Sequence, residues 1–158
     1  EWHMTKLRIF LLPLASFMAQ PAYAYCPGWE IDGLRYYSVP REFNRASYVA
    51  VVKVSNETWL DEDGKRKPSE FDGNIGAYYS VSLVWAYKGR PPPQMRLFSE
   101  NSTARFSMRV GKEYVVFITK EEFNRPVGMA LTVDTCGNSP VQMSRASRLI
   151  ARLKRLSR

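Results

Sequence analysis

The side chains with the most chemical reach in this sequence are two cysteines, one histidine, a few clustered acids and a terminal run of arginines. The histidine, His3, stands before the first methionine, Met4. A chain read from beyond that point has none, which excludes Ser-His-Asp, Cys-His and histidine-metal chemistry together. The acids fall in Asp61-Glu62-Asp63, Glu70, Asp72 and Glu121-Glu122, beside Gly, Lys, Asn or Pro. That is the setting of solvated loops and not of a paired general acid and base. There is no glycine-rich phosphate loop and no G-x-S-x-G elbow. The expectation is a chain with no catalytic residues, no cofactor and no metal. Cys26 and Cys136 without histidine do not make a zinc site, and in an oxidising compartment an even count reads as one disulfide. Closing so long a loop would contribute on the order of 4–5 kcal/mol in the chain-entropy model.

The arginines point to binding. Residues 142–158 hold Arg145, Arg148, Arg152, Lys154, Arg155 and Arg158 and no acid. A basic segment of this kind suits an anionic membrane or another polyanion. The candidate binding residues are therefore Tyr25, Cys26, Pro27 and Trp29 near one end, and Arg145, Arg148, Arg152 and Arg155 near the other. Trp29, Trp59, Tyr36 and Tyr37 are the aromatic residues expected at the surface, where Trp and Tyr dominate real interfaces.

What positions these residues begins with the stretch Met4 to Ala24. Lys6 and Arg8 give a cationic start, Ile9 to Ala19 an apolar run, and Ala22-Tyr23-Ala24 a small-x-small cleavage site. The run falls short of the roughly 18–20 residues of a membrane span. Residues 1–24 are thus expected to be a signal peptide, with 1–3 extraneous to it, and the remainder to be periplasmic or secreted. That remainder of 134 residues carries 21 basic and 14 acidic side chains, a net charge of +7, enough chain for one domain. Nearly all of the excess lies in the last 17 residues.

Strands dominate the body. Tyr48–Ser55 places Ala50, Val52 and Val54 on one face and Val49, Val51, Lys53 and Ser55 on the other. Leu60–Asn74 reads as a long exposed loop. Tyr78–Tyr87 keeps a period of two over ten residues, which no helix face does. Gln94–Phe98, Glu113–Thr119 (apolar on both faces) and Ala130–Cys136 follow, and Arg41–Ala46 suggests a short helical turn. Met143, Ala146, Leu149, Ile150, Leu153 and Leu156 recur at helical spacing, so residues 142–156 predict an amphipathic helix, started by Ser139-Pro140, with Leu149, Ile150 and Leu153 toward the barrel. The fold class expected is all-β: a five-stranded barrel over 25–140, with 141–158 a basic amphipathic helix packed on it.

The order of certain motifs resembles the netrin-module and tissue-inhibitor-of-metalloproteinase superfamily. They are Phe43-x-x-Ala46-x-x-Val49-Ala50-x-Val52-x-Val54, then Tyr79-x-Val81-x-Leu83-Val84-Trp85-Ala86-Tyr87-Lys88-Gly89, then Val110-Gly111-x-x-Tyr114-Val115-Val116-Phe117, then Thr135-Cys136-Gly137-Asn138-Ser139. The resemblance implies an OB-type barrel and a pairing of Cys26 with Cys136. In the family's inhibitors a mature N-terminal cysteine chelates the target's zinc through its free amine and carbonyl. Here Tyr25 precedes Cys26, so the expected cleavage removes that chemistry. The functional expectation is a non-catalytic exported module that binds a protein or another envelope component, with zinc-protease inhibition or an anionic membrane surface as alternatives. Nucleic acid is not an expected partner, because the chain is exported and its body nearly neutral.

Overall fold

A computed structural model describes residues 38–102 and 105–158. Helix α1 (Val39–Arg45) leads into strand β1 (Tyr48–Leu60), followed by β2 (Arg66–Lys67), β3 (Gly76–Lys88), β4 (Gln94–Glu100), β5 (Glu113–Glu122), β6 (Met129–Val133) and β7 (Val141–Gln142). A single 3₁₀ turn, Met143–Arg145, precedes helix α2 (Ser147–Leu156). The strands form one sheet in the order β2-β1-β3-β4-β6-β5-β7, and β1 also pairs with β5. Five strands therefore make a partly closed ring. Its pairs are antiparallel except β4 with β6, which run parallel and meet at one register pair, Leu97 with Leu131. The chain before β5 fills the ring beside that thin seam. Phe106 and Met108 are buried in the interior cluster, and the Ser99 hydroxyl bonds both the N–H and the C=O of Phe106.

The period-two pattern sorts the core into an inside and an outside. Ala50, Val52 and Val54 of β1 meet Tyr79, Val81, Leu97, Val116 and Ile118 within the ring. The opposite faces of β1 and β5 bury Val49, Val51, Val115 and Phe117 beneath Val39 and Phe43 of α1 and Leu153 of α2. Strands that are apolar on both faces are what two covering helices require. Leu153 is fully buried, and Leu149 and Ile150 pack half-buried beside it, so the expected helix and its barrel-facing stripe are present.

Several boundaries differ from the sequence reading. Residues 141–158 are not one helix: β7 pairs with Tyr114 and Val115 of β5, and the helix starts at Ser147. Ser139 is not its cap, because its buried hydroxyl accepts the N–H of Phe117. The last barrel strand stops at Val133, so Cys136 lies in the turn beyond it. The loop after β1 contains β2, which folds back on Trp59 and Leu60. Its acids brace turns: Asp61 accepts the N–H of Lys65 at 2.8 Å, and Glu70 pairs with Arg105 at 2.9 Å.

Helix α1 is too short to persist alone, since isolated helices under about 12 residues are marginal. Ser38 caps its start, accepting the Arg41 N–H at 3.4 Å. Its other end is held from β3: the Lys88 ammonium donates to the carbonyls of Phe43 (2.7 Å), Asn44 (2.8 Å) and Ala46 (2.7 Å). These include carbonyls that a helix terminus leaves open, met by the sign of charge its dipole favours. Gly89 follows with φ of 73°, and a Cβ there would strike Tyr48 and the Ser47 carbonyl. Replacing Lys88 with Met should lower stability by roughly 3 kcal/mol, because charge-assisted bonds are lost and carbonyls stay half-buried. Urea unfolding measures it, and an unchanged midpoint would contradict the role given to Lys88.

Candidate functional site

Two surfaces concentrate exposed chemistry. The first lies on the outer face of β1, β3 and β4. Ser80 and Ser82 alternate with buried Tyr79 and Val81 and so point away from the core. Cross-strand register sets Asn56, Ser80 and Arg96 in one row and Lys53, Ser82 and Gln94 in the next. A cleft of about 540 Å³ runs here, lined by Ser55, Ser80, Ser82, Gln94 and Arg96 among others. The Ser55 hydroxyl donates to the Ser80 carbonyl at 3.0 Å and that of Ser82 to the Lys53 carbonyl at 3.5 Å. With their protons engaged, the hydroxyl lone pairs remain as acceptors, while Arg96 and Gln94 supply donors. Next to the cleft, the Tyr78 ring has the guanidinium carbons of Arg96 and Arg66 at 5.3 and 5.9 Å from its centroid, within cation–π range.

The second surface joins the end of β3 to α2. Strict alternation would put Trp85 with Tyr79, Val81 and Leu83 inside the ring, yet it stands 62% exposed, with Val84 at 49%. A bulge explains this: Val51 pairs with Trp85 and Val52 with Leu83, leaving Val84 as an extra residue. The pairing of β3 with β4 also ends at Ser82, so Trp85 has no neighbour from β4. Trp85 and Tyr87 form a cleft with Lys154, Ser157 and Arg158 of the α2 end. Pro40, Arg152, Arg155 and Leu156 line another on the far side of the helix.

The expected site residues divide accordingly. Arg145, Arg148, Arg152 and Arg155 are all exposed, and among the described residues no carboxylate lies within ion-pair distance of them. Tyr25, Cys26, Pro27 and Trp29, with Tyr36, Tyr37 and the leader, lie outside the described residues. Cys136 is not a free thiol, and Cys26 lies outside the described residues. Trp59 is a correction. It is 3% exposed, because β1 runs on through it to Leu60, and Arg105 covers its ring at 4.5 Å.

Glu42 escaped the sequence reading. It is buried at the foot of α1, and its Oε2 accepts both the backbone N–H and the side-chain amide of Asn138 at 2.7 Å. Gly137 lies beside it, where a Cβ would displace the carboxylate from this position. Nothing local in the sequence marks a contact spanning 96 positions. No group of three or more His, Cys, Asp or Glu able to hold a metal ion occurs among the described residues. None of the described helices is long and apolar enough to cross a membrane. No protein-family model matches this chain, and no curated protein matches it.

Burial, reinforced by the neighbouring Glu57 carboxylate, pushes the Tyr79 phenol up to about 12 from its ordinary 10. Burial raises Tyr87 as well. The unfolded chain therefore releases these protons first. The contribution to stability is complete below pH 10 and is lost as pH rises toward about 12. Alkaline denaturation should start in that window, and Tyr79→Phe should flatten the decline. An equal slope in the variant would contradict the assignment to Tyr79.

Proposed function

We propose that this chain is an exported, non-catalytic binding module built on an OB-type barrel, related to the netrin and metalloproteinase-inhibitor modules. In barrel order the strands run first, second, third, fifth, fourth and back to the first, with the third and fifth parallel. This order supports the OB reading. So does the convergence on α1 of three of the motifs that carry the resemblance: Phe43 and Ala46, Lys88-Gly89, and Gly137-Asn138. Under this reading Cys26 and Cys136 form a disulfide that ties the mature N-terminus to the turn after the last barrel strand. Alkylation should label neither thiol before reduction, and labelling of both would overturn the pairing.

The observation that carries the binding function is the polar cleft on the outer face of β1, β3 and β4. OB-type barrels take ligands on the face formed by their second and third strands, here β3 and β4. Its fixed acceptors and mobile donors suit a polar segment of an envelope protein. Zinc chelation is not part of this function, because an amide nitrogen at Cys26, acylated by Tyr25, has no lone pair to give.

The mature chain immobilised against envelope extract tests the assignment, alongside Ser82→Trp, which fills the cleft, and Arg96→Glu, which reverses its cation. A partner retained by the parent and lost by about tenfold or more with both folded variants is expected. Equal capture by all three would place binding elsewhere and overturn it.

A further inference from the structure

The cationic face of α2 and the bulged end of β3 share no residue with the polar cleft, and they fit a different partner. Lys154 and Arg158 lie on the Trp85 side and Arg152 and Arg155 on the Pro40 side, and helical spacing puts Arg148 in line with Arg152 and Arg155. All are exposed, and the opposite stripe is already used: Leu153 is fully buried against the barrel, with Leu149 and Ile150 beside it. An amphipathic helix that adsorbs on lipid by burying its apolar stripe is therefore not what this segment offers. It offers a folded, cation-bearing surface with an apolar rim of Trp85, Val84 and Leu156, the last 37% exposed.

From this we infer that the face docks the domain on an anionic phospholipid bilayer, with Trp85 seated at headgroup depth. Charge complementarity selects the partner. The stretch from residue 142 to 158 has no acidic side chain, and no described acid lies within ion-pair distance of its cations. These cations stand on long flexible stems without fixed geometry. A laterally fluid anionic surface neutralises such charges wherever they point, whereas a rigid acidic protein needs a matched array. Each Lys or Arg near an anionic surface contributes about 1 kcal/mol, and indole favours the interface between water and hydrocarbon. Several cations with one exposed tryptophan give reversible, salt-sensitive adsorption.

Co-sedimentation of the mature chain with vesicles of phosphatidylglycerol in phosphatidylcholine, against phosphatidylcholine alone, tests the inference. Binding should require the anionic lipid and weaken by at least about tenfold when ionic strength is raised from low to high. Glutamine at Arg148, Arg152, Lys154, Arg155 and Arg158 together should weaken it by on the order of a hundredfold or more. Circular dichroism verifies the fold of that variant, and single Arg155→Gln and Arg158→Gln variants give graded losses should it unfold. Trp85→Phe should remove the blue shift of emission on vesicle binding and leave the cleft partner retained. Equal binding to both vesicle types, no binding to either, or Trp85 still open to an aqueous quencher on the vesicle would overturn the inference. So would a preference for polyglutamate over the anionic vesicles, which would make the partner an acidic polypeptide.

Discussion

One ammonium group sets the position of a helix that cannot stand alone. Lys88 satisfies three carbonyls at the end of α1 from the last residue of β3, so the start of the described domain is fixed to the far end of its second ring strand. From the other side the Glu42 carboxylate reaches the turn at Asn138. The short helix is thereby held at both polar ends while Val39 and Phe43 close the outer core. Each contact carries energy of its own, but the two act together. Their joint effect is geometric, because burial of Val49, Val51, Val115 and Phe117 depends on what lies over them.

That covering layer decides what is left for binding. Because α1 and the apolar stripe of α2 share the outer face of β1 and β5, the arginines of α2 are turned outward together. Because β3 bulges at Val84 after parting from β4, Trp85 is delivered to the same end of the molecule. Among the described residues no helix covers the outer face of β3 and β4 near Ser80 and Ser82, which keeps its polar cleft. Packing and exposure are thus two results of one arrangement, with a polar face and a cationic face on different parts of the surface.

The strands and the helix were legible because their side-chain periods are long and regular. Both faces of β1 and the doubly apolar β5 could be assigned by alternation alone. Alternation fails at a bulge, and a single extra residue at Val84 sends Trp85 outward where the pattern points it in. Trp59 failed for the opposite reason: β1 continues through a polar stretch, Ser55 to Thr58, that reads as the end of a strand. Glu42 and Lys88 were invisible as a pair of clamps, since their partners lie 96 and about 42–45 positions away. Their residue types carry no signal until the fold brings them together. The terminal arginines were found by composition, which survives any change of fold.

The central claim is that α1, fixed by Lys88, is the seat on which α2 docks. A double-mutant cycle of Lys88→Met with Leu153→Ala tests it, because Lys88 bonds the carbonyl of Phe43 while Leu153 packs in the same cluster as its ring. Freeing α1 should already forfeit part of what Leu153 contributes. The two destabilisations should then fall short of additivity by about 1 kcal/mol or more. Additivity within about 0.3 kcal/mol would mean that α2 packs on the barrel without regard to α1, and would contradict the account.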